Sequence, residues 1–432
     1  MTVPAQSAVE SLQPPEVNPA DPSFWQLPHS ARLAAFAALR RLDRPAYFVE
    51  RPATRRRPER GFYALVKHAD VVQASRLPQV FASAPGVTTP EPARWVRFLF
   101  GDSMVNLDAP DHTRLRRVVS RAFSPRLLAH AEEDIRRVAA RIVDDMLEQR
   151  PDDFVASVAS RMPFEVICNL MGIPERYRPE IAGRVDHAAQ NAGVDRPLRA
   201  RLRVPGRGLR ALARMHLMMA TLARERRSRP ADDLISALVR ADVDGQALDA
   251  RRLGAFFSLL MVAGVETTRN AITHALTLLT DHPEQRALLA ADFDRYADGA
   301  VEEVVRHSTP IIQFRRTVRA EHALGGHTFR PGDKVVLYYT SANRDETVFT
   351  DPDVFDITRS PNPHLGYGGG GPHFCLGAHL ARQEIKALFR ELLSRPRALR
   401  AVGPPEPAYS NFDNRVLALP FTFDPPASRP GH

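Results

Sequence analysis

The stretch from Asp249 to Asp281 contains no proline, and Pro283 follows it. That predicts a single helix of about 30 residues, roughly 45 Å long at 1.5 Å per residue. Its centre is apolar on nearly every side, so the helix must run through a core rather than along a surface. The remainder of the chain has to wrap around it. With 432 residues, 44% hydrophobic and 25% charged, the chain has the material to do so. Whole-chain disorder, collagen-like repeats and a coiled coil are excluded as descriptions. The most apolar run, Ala255 to Val265, is shorter than the ~20 residues that a bilayer span requires, so no membrane anchor is expected.

Flanking signals give a mostly helical chain with small peripheral sheets. Residues 1–30 are Pro-rich and read as an arm laid on the surface, with no apolar or basic leader pattern. One domain is expected over 31–432, β-rich at about 44–67 and 310–340, with its helical core at about 106–308 and 376–395. Tyr47–Glu50 and Phe62–Lys67 alternate as a hairpin does. Val80–Met104 carries Trp95, Phe98 and Leu99 in an irregular loop suited to binding. Arg330 to Asp333 is a turn, Val335–Tyr339 a buried strand, and a long coil runs from Arg344 to Pro372.

Only two cysteines, Cys168 and Cys375, are present, far apart in sequence. They make no disulfide framework and favour a reducing, cytoplasmic setting. The charge is +9, and only Lys67, Lys334 and Lys386 among the 59 basic residues are lysines. An arginine-rich solvated surface explains this, as does an acidic protein partner or anionic substrate. No nucleic-acid-binding motif accompanies the charge. The arginines between Asp195 and Arg210 form a basic connector, either solvated or steering a carboxylate or a carrier-bound substrate.

The chemistry starts at Cys375. In Gly366-Tyr-Gly-Gly-Gly-Gly-Pro-His-Phe-Cys-Leu-Gly377, one thiol lies between a glycine-dense loop and an amphipathic helix. The glycines let backbone approach something flat and large, and a helix N-terminus favours thiolate. Together they suggest haem iron with an axial cysteine. No Lys-Ser/Thr follows the glycines, which excludes a P-loop. Zinc on His364, His373, Cys375 and His379 would not need the glycine run. A structural loop with a buried thiol explains the thiol but not the glycines.

Three further patterns fit such a site. Glu303 and Arg306 lie one turn apart on a helix and can pair, and Arg359 can complete a buried network with them. In the long helix, Ala263-Gly-Val-Glu-Thr267-Thr268 interrupts apolar sequence. The Thr267 hydroxyl can take the Ala263 carbonyl, and Glu266 places a carboxylate in the core where protons are handled. His112 and Arg116, four residues apart, can clamp a pair of carboxylates such as haem propionates.

The four motifs, in this order and spacing, resemble a cytochrome P450 from about Tyr47 to Phe423. The likeness is closer still to bacterial members that oxidise steroid side chains, terpenoids and methyl-branched lipids. It is carried by Val-Ala-Gly-x-Glu-Thr-Thr-Arg-Asn at 262–270, Ser341-Ala-Asn-Arg-Asp345 and Pro361-Asn-Pro-His-Leu-Gly-Tyr-Gly-Gly-Gly-Gly at 361–371. The resemblance implies the P450 fold, with haem b between the long helix and the cysteine loop. Cys375 would be the iron ligand, with Gly377 beside it. His112, Arg116, Arg316 and His373 would bind the propionates. Glu303, Arg306 and Arg359 would lock the fold, and Thr267 with Glu266 would handle oxygen and protons. Substrate contacts are expected from Trp95, Phe98, Leu99, Leu259, Val262, Ala263, Ile311, Ile312, Phe314 and Phe412.

It also implies a monomeric monooxygenase acting on a hydrophobic lipid, terpenoid, steroid or polyketide-like molecule. Electrons would come from an acidic ferredoxin docking near Arg117, Arg121 and Arg126, and from an NAD(P)H-dependent ferredoxin reductase. Two departures stand out. Tyr367 lies eight residues before Cys375 because of one extra glycine; the closer subgroup shares the shift but has Phe there. That subgroup has Asn where this chain has Val265, which bears on substrate fit or the proton path. Open alternatives are a tailoring oxidase for anionic or carrier-protein-bound substrates, a peroxide-dependent or non-hydroxylating haem-thiolate enzyme, and a haem-binding sensor or carrier.

Overall fold

The computed structural model describes residues 18–50, 60–89, 103–123, 125–183, 205–240, 242–243, 246–247 and 250–424. Ten main helices are used below: α1 (His29–Arg40), α2 (His68–Arg76), α3 (Asp111–Ala122), α4 (Pro125–Gln149), α5 (Arg161–Leu170), α6 (Pro205–Ser228), α7 (Leu234–Arg240), α8 (Ala250–Asp281), α9 (Phe293–Ser308) and α10 (Ala378–Ser394). The expected long helix is α8, 32 residues within one residue of the sequence boundaries. Every residue from Thr268 to Thr273 is buried, as an enclosed helix requires. It packs against α5, α6, α9 and α10, and α10 in turn packs on α4. The main core gathers Val138, Ile142, Ile167, Phe256, Met261, Ile272, Val304 and Leu388 from these helices, and Phe154 from the connection between α4 and α5.

The two β-rich regions join in one five-stranded sheet. Its strands are β1 (Ala46–Glu50), β2 (Arg60–Leu65), β3 (Phe81–Ala82), β4 (Gln313–Val318) and β5 (Lys334–Tyr338), in the order β1-β2-β5-β4-β3. The hairpin β1–β2 is antiparallel, with Phe48 opposite Phe62. β2 runs parallel to β5, and β5 antiparallel to β4. The turn before β5 closes with Asp333 N–H on the Arg330 carbonyl at 3.0 Å.

Two expectations gain detail. The described part of the N-terminal segment is largely exposed but is anchored to the core by two rings. Phe24 and Trp25 are buried against Phe36 and Tyr338, and Trp25 Nε1 donates to the Pro19 carbonyl at 3.0 Å. Two large aromatic rings gain more from burial than a Pro-rich stretch loses by being held. The basic connector is helical from Pro205, where α6 begins; its earlier part lies outside the described residues.

One buried acid has no sequence signal. Glu384, on α10, is fully enclosed, its Oε2 has no hydrogen-bond partner, and burial pushes its carboxyl up to about 8. The folded protein therefore keeps a proton that the unfolded chain releases, so stability falls as pH rises from the usual carboxylate range through about 8. Replacing Glu384 with Gln is expected to flatten that fall. Urea midpoints of both proteins at about pH 5 and about pH 8 measure it; parallel slopes would refute it.

Candidate functional site

The cysteine loop is shaped from both sides. Cys375 N–H donates to the Tyr367 carbonyl at 2.9 Å, and Gly368 N–H to Leu365 at 2.8 Å. Gly371 has φ +76°, and a Cβ there would meet the Ser75 carbonyl oxygen of α2. A Cβ on Gly369 would stand 2.5 Å from Ser75 Oγ. On this side the glycines let the loop press on the protein's own α2, a close approach that the sequence did not reveal. Only toward Gly377 is the space open.

The Cys375 thiol is exposed, though protein closes around its inner side. That burial pushes its pKa up, while the Gly377 N–H, Arg116 and Arg382 pull it down. The helix-start amide thus acts as expected, but it does not outweigh desolvation. His112 and Arg116 share one face of α3, one turn apart. Arg116 Nη2 donates to the Phe374 carbonyl at 2.7 Å. The His112 and His373 rings lie 4.1 Å apart between centroids, and His373 Nε2 meets Ser83 Oγ at 3.0 Å. His373 is pushed down to about 3 by burial first, then by Arg316, His112 and Arg116.

Arg316, on β4, is buried and donates to the Arg315 carbonyl at 2.8 Å. Arg116 thus acts on both the thiol and His373, and Arg316 and His112 act on His373, two residues before the cysteine. This donor set fits haem: sulfur for iron, with guanidinium charge and neutral imidazole hydrogen bonds for two propionates. The alternative zinc set does not converge. His364 pairs with Glu302 and His379 with Glu132, and among the described residues no His, Cys, Asp and Glu cluster could hold a metal ion.

Behind the loop, Glu303 and Arg306 form a fully buried bidentate pair at 2.8 Å for both bonds. Arg359 Nε reaches Glu303 Oε1 at 3.2 Å. The same carboxylate accepts the Asp356 N–H and Asn362 Nδ2 at 3.0 and 3.1 Å, partners that sequence spacing did not reveal. Arg306 also donates to the Asn343, Pro352 and Val354 carbonyls. The Asn343 side chain takes the Leu365 N–H at 2.6 Å. One buried carboxylate thus ties α9 to the coil that enters the cysteine loop.

On α8, Ala263 is exposed and Gly264 and Thr267 half-buried, which leaves a shallow opening beside the buried Val265 and Glu266. Thr267 Oγ1 donates to the Ala263 carbonyl at 2.7 Å. Glu266 does not face this opening as a lone acid. It is buried, with Oε2 at 2.7 Å from Arg269 Nη2 and 3.4 Å from Arg415 Nε. Arg269 was visible at i+3; Arg415 comes from the far end of the chain and gave no local signal.

Of the expected substrate contacts, Phe314 and Phe412 meet with ring centroids 5.6 Å apart, and Ile311 and Phe314 pack half-buried on the sheet-side core. Leu259 packs on the main core. Ile312 is withdrawn: it is buried in the N-terminal core with Trp25 and Phe36, because it points away from its neighbour Ile311. Trp95, Phe98, Leu99 and the side chains of Val262 and Arg126 lie outside the described residues. Arg117 and Arg121 are exposed on α3.

Comparison with known proteins adds four findings. A family model described as Cytochrome P450 matches residues 207–410. The methyl-branched lipid omega-hydroxylase of Mycobacterium tuberculosis is 42% identical, over 96% of this chain and 97% of its own. The steroid C26-monooxygenase of Mycolicibacterium smegmatis is 35% identical, over 87% of each. The solved structure of Mycobacterium marinum cytochrome P450 CYP268A2 in complex with pseudoionone is similar, with TM-score 0.85 and 40% identity, over 96% of this chain and 100% of that one.

Proposed function

The chain belongs to the cytochrome P450 family, monooxygenases that use haem with a cysteine thiolate ligand, and from that premise we propose that it hydroxylates the apolar, branched end of a lipid-like molecule. The observation that carries this reading is the 42% identity, along nearly the full length of both chains, to a methyl-branched lipid omega-hydroxylase. The pairing of the half-buried Phe314 and Phe412 rings gives an apolar surface that suits such a substrate.

Cys375 supplies the thiolate in this reading. When bound, haem supplies O2 activation and substrate oxidation, which the thiolate favours by donating electron density. Arg116, Arg316, His112 and His373 would hold its propionates. Thr267 and Glu266 hold and move protons beside the opening on α8. Phe314, Phe412 and Ala263 orient the substrate and exclude water. A ferredoxin and its NAD(P)H-dependent reductase supply electrons in the cytoplasm, docking by way of the exposed Arg117 and Arg121 on the helix that carries Arg116.

The test is incubation of the purified holoenzyme with a terminally methyl-branched fatty acid, ferredoxin, reductase, NADPH and O2. A hydroxyl on the branched terminal carbon is expected by mass spectrometry. Preference for a cholesterol-type steroid would move the substrate class, and no Soret shift with either would remove lipids altogether. In Thr267→Ala, product formation is expected to fall ~10²-fold while O2 is still consumed as peroxide. Normal coupling would take Thr267 out of the relay.

A further inference from the structure

Glu266 sits in a buried assembly of four charged groups. Arg269 and Arg415 both reach its Oε2, at 2.7 and 3.4 Å. Arg415 is itself fixed by Asp413, whose Oδ2 lies 2.6 Å from Nη2 and 3.2 Å from Nε. All four side chains are buried. Taking such ions out of water costs several kcal/mol each, and well-packed apolar residues would hold the same space as stably. Stability alone is thus a poor account of the assembly.

Its location supplies a better one. Residues 410–415 are stitched to the core at several points. Ile312 N–H donates to the Phe412 carbonyl at 2.8 Å. Asn414 Nδ2 donates to the Ser308 and Thr309 carbonyls at 2.9 Å each, and His274 Nε2 meets the Asn414 carbonyl at 2.9 Å. The segment that holds Arg415 also presents Phe412, whose ring packs on Phe314. A substrate pressing on Phe412 would therefore push on the strap that grips the acid.

We propose that Arg415, fixed by Asp413, is a positioning residue. It sets the orientation of the Glu266 carboxylate and couples that orientation to substrate contact on the half-buried Phe412 ring. Two guanidiniums paired to one oxygen hold that oxygen on their side and so bear on where the second oxygen points. Arg269 follows the backbone of α8, whereas Arg415 follows the 410–415 segment. The inference rests on the reading of Glu266 and Thr267 as the proton relay.

The test uses holoenzyme with the terminally methyl-branched fatty acid as probe. Peroxide released per O2 consumed is read in Arg415→Gln, Arg415→Lys and Asp413→Asn, in wild-type and Glu266→Gln backgrounds. The reduced carbon-monoxide band checks that each variant keeps its haem site. Arg415→Gln is expected to raise the peroxide yield several-fold, Arg415→Lys to restore most of the coupling, and Arg415→Gln to add nothing once Glu266 is Gln. If the Gln variant fails to fold, Arg415→Lys and Asp413→Asn carry the test through the same cycle. Additive losses, equal losses in Lys and Gln, or wild-type coupling would overturn the positioning role. Normal coupling in Glu266→Gln itself would instead overturn the relay reading, and the proposal with it.

Discussion

Replacing Cys375 with serine is expected to abolish the thiolate-type band of the reduced carbon-monoxide complex and to bring product formation to background. The chain has one other thiol, and it cannot take over. Cys168 is buried in the main core, and burial pushes its pKa up to about 12, so it is neither accessible nor ionised. Cys375 instead faces open space at the start of α10, with the Gly377 amide and two arginines acting on its sulfur. Cys168→Ser should keep the band. A thiolate-type band surviving in Cys375→Ser would place the ligand elsewhere and remove the basis of the proposed site.

Glu303→Ala is expected to cost about 3–5 kcal/mol of stability, the usual penalty for breaking a buried ion pair from one side. Arg306 would be left fully enclosed without its carboxylate, and the Asp356 N–H, Asn362 and Arg359 would lose an acceptor. Because the coil entering the cysteine loop hangs on these bonds, haem content should fall with stability. Denaturant midpoints and the haem-to-protein absorbance ratio measure both. Arg359→Ala should cost less, since that side chain also reaches solvent and its partner Glu303 would keep Arg306. A near-neutral Glu303→Ala would show the network to be dispensable.

What was legible in the sequence was local. The length of α8 followed from the absence of proline between Asp249 and Asp281. Glu303 and Arg306, and Thr267 and the Ala263 carbonyl, are separated by one helical turn, so spacing alone put them within reach. The resemblance to cytochromes P450 then supplied the order of the motifs. What spacing could not supply was contact between distant segments. Glu266 and Arg415 meet only because residues 410–415 fold back over α8. Ile312 looked like a pocket residue, since neither hydrophobicity nor position reveals that Trp25 and Phe36 cover it. The burial of Glu384 gave no signal, because one charged position on a buried face leaves the periodicity of an amphipathic helix intact.

The seam between α2 and the cysteine loop has no spare room: hydrogen atoms fit at Gly369 and Gly371, and a methyl group meets Ser75. The two stretches can therefore vary only in step. A larger side chain on either partner must be matched by retreat of the other, or the sulfur is levered off its axis. Loop grafts between relatives should carry residues 68–76 along with 366–377 as one inherited unit.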